Sequence, residues 1–121
     1  MKKKIHAYEL GKTGEAIALR YLGKKNYRLL EKGFRFLRGE IDLIAKDGPA
    51  LVFIEVKTRE KSLFGQPEES VTPAKRKQIR RLAQGYLLKN RIEDVECRFD
   101  VITITRDIEG RCLIQHIENA F

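Results

Sequence analysis

The sequence predicts an α/β fold in which a mixed β-sheet is flanked by helices, all in one domain that spans residues 1–121. Three observations predict it. Residues 6–23, and a second segment that opens at Thr72-Pro73, repeat apolar residues at helical spacing. Most of the remaining apolar residues fall in short runs rich in β-branched and aromatic types, as sheets require. The second helical segment lies between two such runs, so it is a crossover that makes the strands on either side of it parallel. The order is helix, three strands, helix, strand, strand.

The elements justify themselves in turn. In 6–23, Leu10, Gly14, Ile17 and Tyr21 form a stripe that Ala7 and Ala18 widen, with Gly11 open to close backbone approach and Gly23 as the stop. Residues 26–38 read as a strand that leads through Gly33 into residues 39–58, two strands joined by a turn at Asp47-Gly48-Pro49. Residues 59–71 lack periodicity and contain Gly65 and Pro67, which predicts a long loop, mobile and adjoining the site. Thr72 caps the second helix with Pro73 at its first position. Its buried stripe is Ile79, Leu82, Ala83, Tyr86 and Leu87, with Lys77, Arg80, Arg81 and Gln84 outward. Residues 97–105 and 112–118 read as the last two strands, the second an edge, with a turn over 106–110.

Composition narrows the function classes. A chain of 121 residues is long enough to bury about two-thirds of its unfolded surface. Lys and Arg number 25 against 17 Asp and Glu, a net charge of +8, which favours polyanionic partners and nucleic acid first. Cys97 and Cys112 are too few for a disulfide scaffold and lack metal-site spacing. With no apolar run after the basic start and no membrane-length segment, the expectation is a reduced, cytoplasmic protein without a membrane partner.

The chemistry lies in charges that strand interiors normally exclude: Glu40 and Asp42 on the first arm of the hairpin, Glu55 and Lys57 on the second. Alternation puts the members of each pair on one face. If the turn pairs Lys46 with Leu51, Asp42 lies opposite Glu55 with Cβ atoms roughly 5 Å apart. At an effective dielectric near 20, that proximity costs on the order of 3 kcal/mol. Lys57 offsets part, and a divalent cation bound by the two carboxylates, Mg²⁺ or Mn²⁺, offsets the rest. A lone acid in a strand is better read as an ordinary surface charge, but Asp-x(12)-Glu-x-Lys in an apolar hairpin is not.

Asp42, Glu55 and Lys57 resemble the D…(D/E)-x-K signature of the restriction-endonuclease-like nucleases, which include archaeal Holliday junction resolvases. More closely, the chain resembles the YraN family of small bacterial proteins. That resemblance rests on Gly14-Glu15-Ala16, Gly39-Glu40-Ile41-Asp42-Leu43-Ile44, Phe53-Ile54-Glu55-Val56-Lys57-Thr58-Arg59, Arg98-Phe99-Asp100-Val101 and Asn119-Ala120-Phe121, and covers nearly the whole chain. It implies a restriction-endonuclease-like sheet and a metal site, and the mechanism expected there is metal-dependent cleavage of phosphodiester bonds, in DNA sooner than RNA, with branched or repair intermediates as candidate substrates. On this reading Asp42, Glu55 and Lys57 are catalytic. Asp42, Glu55, Val56 through its carbonyl, and Glu15 hold the metal. Lys75, in line with the apolar stripe of the second helix, stands near the scissile phosphate, and Arg35, Arg38 and Arg59 are further nucleic-acid contacts.

Other polar residues carry less. Glu40 is an outer ligand or an arginine partner; Asp100 pairs with an arginine or supports the site; His116 reads as structural. The rival function is a nuclease-like module that binds nucleic acid without cutting. A third, a protein-interaction adaptor, would show itself as an apolar patch around Phe64 and Phe121. A dimer is compatible with all three.

Overall fold

The computed structural model describes residues 7–60, 71–107, 109 and 111–121, with the side chains of the first helix described from Gly14 onward. Its elements are α1 (Ala7–Lys24), β1 (Arg28–Phe36), β2 (Gly39–Asp47), β3 (Ala50–Glu60), α2 (Pro73–Lys89), β4 (Cys97–Arg106) and β5 (Cys112–Ile117). The strands form one sheet in the order β1-β2-β3-β4-β5. Neighbours run antiparallel except β3 and β4, which α2 connects and which run parallel. This is the expected mixed α/β sheet flanked by helices, consistent with a restriction-endonuclease-like fold.

The sheet buries both faces. Ala18 and Leu22 of α1 pack on Leu43, Val52, Ile54, Ile102 and Ile104. Ile79, Leu82, Ala83 and Tyr86 of α2 pack on Phe34, Ile41, Ile44, Leu51 and Phe53. The two sets come from alternate residues of β3, as the pleat dictates. The Asp47-Gly48 turn, with Gly48 at φ +58°, gives the pairing Lys46↔Leu51 that the spacing suggested. Thr72 caps α2 as expected, its hydroxyl accepting the Lys75 N–H at 3.2 Å.

Several boundaries differ from the sequence reading. Gly23 lies inside α1; the left-handed residue is Asn26 at φ +66°, and the Tyr27 N–H donates to the Leu22 carbonyl at 3.0 Å. That is the six-to-one bond of a Schellman end, with asparagine where glycine is usual. Close approach occurs at Gly14, where an added Cβ would stand 2.1 Å from Thr58 Cγ2, whereas the side-chain environment of Gly11 lies outside the described residues. β1 does not run on into β2. Phe36 pairs with Gly39 around a two-residue turn in which Leu37 (φ +48°) and Arg38 (φ +64°) are both left-handed.

β3 continues through Arg59 and Glu60, paired with Thr105 and Arg106, so the expected loop begins later. Residues 61–70, with Phe64 and the expected loop mobility, lie outside the described residues. Phe121 is not a patch: it stacks on Phe99 at 5.2 Å between ring centroids, beneath the guanidinium groups of Arg76 and Arg80. Among the described residues no helix is long and apolar enough to cross a membrane.

Candidate functional site

Four elements converge at one end of the sheet. Leu43 belongs to the α1-side core, but Ile41, two residues earlier, belongs to the α2-side core, so β2 turns over between them. The β2–β3 ladder ends at Leu43↔Ile54. Asp42 occupies the step, and strict alternation therefore fails at the residue the site needs. Its Oδ2 accepts the Val56 N–H at 2.8 Å, so a side chain takes over where the backbone ladder stops. Val56 thus enters the site by its amide.

Glu55 faces Asp42 across this step and is buried, with 6% of its surface exposed. Its Oε1 lies 3.4 Å from Lys57 Nζ, two residues along the same face of β3, and 3.8 Å from Lys75 Nζ, in the first turn of α2. Its Oε2 is buried and has no hydrogen-bond partner among the described residues. Glu15 comes from α1, which Gly14 allows to lie directly against Thr58 of β3. Glu40 reaches back over Gly33 and meets Arg35 at 3.6 Å.

The electrostatics follow from this crowding. Burial raises the Glu55 carboxyl above its ordinary value, and the Asp42 charge raises it further against Lys75 and Lys57. Burial also raises Asp42; the Val56 N–H opposes this and Glu40 adds to it. Glu15 is raised by burial first, then by Asp42 and Glu40. Three carboxyls from three elements thus hold protons more tightly than in water, and a cation is what such a group lacks.

Fit to a metal can be judged from the donors. The described residues contain no ready-made group of three or more His, Cys, Asp or Glu side chains that could hold an ion. Hard cations such as Mg²⁺ do not need one, because they bind through one or two carboxylates and take their remaining oxygens from water and phosphate. The orphaned Glu55 Oε2 beside Asp42 is a donor of the right chemistry, and the residues present fit a two-carboxylate site with Glu15 behind it.

The expected nucleic-acid contacts divide. Lys75 is brought to the carboxylates. Arg59 continues the row Glu55, Lys57 along β3 by alternation, one rung further out. Arg35 and Arg38 lie on the exposed β1–β2 tip rather than among the acids. Lys75, Lys77, Gln78 and Arg81 line a shallow hollow along α2, and Gln78 also touches Gly39 at the base of that tip.

Asp100 takes the arginine-partner role and does not support the site. It points to the α1 face, where Arg98 binds it by two hydrogen bonds of 2.9 and 3.0 Å, His116 Nε2 meets it at 2.7 Å and the Asn119 N–H donates to it at 3.1 Å. Arg98 also donates to Asp47 and to the Tyr27 hydroxyl. Burial would raise the Asp100 carboxyl, but the His116 and Arg98 bonds more than reverse it and hold it below the ordinary range. His116 is structural here, as expected. Sequence reasoning missed the rest of this network because it joins positions far apart in the chain.

Comparison with known proteins agrees with the sequence resemblance. Residues 14–104 match the uncharacterised protein family UPF0102. A UPF0102 protein of Geotalea daltonii is 46% identical over 93% of this chain and 88% of its own length. One from Geobacter sulfurreducens is 44% identical over 96% and 91%, and one from Chlorobaculum tepidum 49% over 93% and 91%. The match includes Glu15, Asp42, Glu55, Lys57 and Lys75 within its span, and the chain belongs to the UPF0102 (YraN) family.

Proposed function

We propose that the protein is a metal-dependent endonuclease that hydrolyses phosphodiester bonds in DNA. The observation that carries this reading is the buried Glu55, whose Oε2 has no partner among the described residues while two lysines approach Oε1 and the Asp42 charge acts on it. Asp42 and Glu55 hold a Mg²⁺ or Mn²⁺ ion, with Glu15 and the Val56 carbonyl as further ligands. The ion supplies charge neutralisation at the phosphodiester and a water of lowered pKa. Lys57 orients the attacking water and stabilises charge that develops on the phosphate. Lys75 contacts the phosphate itself. Its placement supports this role, because the first turn of α2 contains no acidic residue and gathers cations at the positive end of the helix, where an anion is favoured.

Net charge, the arginines of the β1–β2 tip and the basic hollow on α2 support nucleic acid as partner. Both cysteines are unpaired, which suits a reducing cytoplasmic setting. The absence of a three-ligand group among the described residues favours a second reading, a module that binds nucleic acid and does not cut it. Incubation of branched, single-stranded and duplex DNA with Mn²⁺ separates the two. Cleavage by the wild type and none by Asp42→Ala is the expected result; no metal-dependent difference between them rejects the enzyme and leaves the module.

A further inference from the structure

We propose that the β1–β2 tip, Phe36-Leu37-Arg38, contacts the bases of an unpaired strand and so directs single-stranded nucleic acid into the carboxylate site; this rests on the nuclease reading for what happens there. The backbone gives the first reason. Two-residue turns with both central residues left-handed are built from Asn-Gly and its relatives. Here those positions hold leucine at φ +48° and arginine at φ +64°. A leucine in that region is strained, and strain of this kind concentrates where structure serves binding.

The second reason is what the strain displays. Leu37 is 64% exposed and Phe36 39%, with Arg35 and Arg38 on either side. Exposed apolar side chains flanked by arginines suit a polyanion whose bases are uncovered. A duplex offers phosphates to the arginines and hides its base faces, whereas a single strand offers both. The tip is also packed against α2. A Cβ at Gly39 would stand 2.8 Å from Leu82 and 3.0 Å from Gln78, and one at Gly85 would stand 2.5 Å from the Phe36 ring, so α2 lies directly on the turn. Phe36 stacks on Phe34 behind it, centroids 6.3 Å apart.

Position supplies the third reason. Leu37 precedes Asp42 by five residues, a separation of roughly 16 Å at strand rise, or about five stacked nucleotides. Lys77, Gln78 and Arg81 line the neighbouring hollow. One strand can therefore touch the tip and the acids together.

The test is Leu37→Asn, which removes the apolar side chain but suits a left-handed residue, so the fold is kept. Fluorescence anisotropy in EDTA measures affinity for a labelled single-stranded DNA oligonucleotide and for its duplex, with no cleavage to confuse the reading. The wild type is expected to prefer the single strand, and Leu37→Asn to lose roughly ten-fold in single-strand affinity with duplex binding unchanged. Equal wild-type affinity for the two forms, or a variant that binds like wild type, overturns the proposal. So does Leu37-dependent sedimentation with phosphatidylserine vesicles in place of oligonucleotide binding. A Leu37-dependent single-strand preference without Mn²⁺-dependent cleavage supports the tip assignment and sinks the nuclease reading alone.

Discussion

Replacing Asp42 by asparagine removes one charge and almost no volume, and it keeps an oxygen to accept the Val56 N–H now held at 2.8 Å. What changes is the cost of a buried charge, to which neighbouring acids add repulsion. Facing strand positions about 5 Å apart repel by about 3 kcal/mol per pair of charges at an effective dielectric of about 20. Lys57 and Lys75 attract Asp42 and offset part of this. The net sign is set by the direction of the Asp42 carboxyl, which burial and Glu40 raise despite both lysines and the Val56 N–H. Asp42→Asn is therefore expected to stabilise the metal-free protein, by about 1 kcal/mol at neutral pH.

The pH dependence identifies the cause. A carboxyl whose folded-state pKa is raised binds its proton more tightly folded than unfolded. The native state is penalised as pH rises from the ordinary carboxylate value through the folded one, and above that the penalty is complete. Urea unfolding in EDTA should thus show the full gain at neutral pH and none near about pH 3, where Asp42 is protonated in both states. A variant less stable than wild type at neutral pH, or equally stabilised in acid, refutes the claim that burial and neighbouring acids hold a charge at Asp42 against its own cost.

Other expectations follow from the same geometry. Saturating Mn²⁺ should stabilise the wild type by about 2.7 kcal/mol at a hundred-fold excess over Kd, raising its thermal midpoint, and leave Asp42→Asn nearly unmoved; thermal scans with and without the ion check it. Gly14→Ala should destabilise by about 1–3 kcal/mol in urea, because its Cβ would meet Thr58 Cγ2 at 2.1 Å, although alanine is the better helix former. Arg98→Ala leaves the fully buried Asp100 carboxylate with only His116 and the Asn119 N–H and should cost about 3 kcal/mol. The Asp100 contribution is present above the ordinary aspartate pKa and lost as pH falls through its lowered folded value, so the Arg98→Ala deficit should shrink in strong acid. Leu37→Asn should hold or raise the thermal midpoint by a few degrees, since asparagine tolerates φ +48° better than leucine.

What could be read in advance was local. The Asp47-Gly48 turn fixes a register that brings Asp42 to the end of the ladder near Glu55, where the Val56 N–H then holds it; Thr72-Pro73 fixes where α2 starts, and hence where Lys75 stands. What escaped was either unsignalled or distant. Leu37-Arg38 contains neither glycine nor asparagine, so nothing marked it as a turn. Composition does not single out Gly14 in the first helix, and its close approach shows only in the packing against Thr58. The turnover of β2 between Ile41 and Leu43 depends on both cores at once and leaves no trace in periodicity.

The two buried acids of this sheet offer a comparison made within one chain. Asp100 lies one face away from Glu55, on the adjacent strand, and is also buried. Its oxygens receive Arg98 twice, His116 and the Asn119 amide, and its carboxyl is lowered. Where burial of an acid serves the fold, this sequence satisfies it completely. Glu55 has lysines on one oxygen, nothing among the described residues on the other, another acid in front, and a raised carboxyl. Poor packing does not account for the difference, since Asp42 is held by a 2.8 Å bond and the cores on both sides are filled. On the function proposed above, a fold that completes one carboxylate and leaves its neighbour without a partner among the described residues keeps that oxygen for a bound cation. The charge that would suit it is positive.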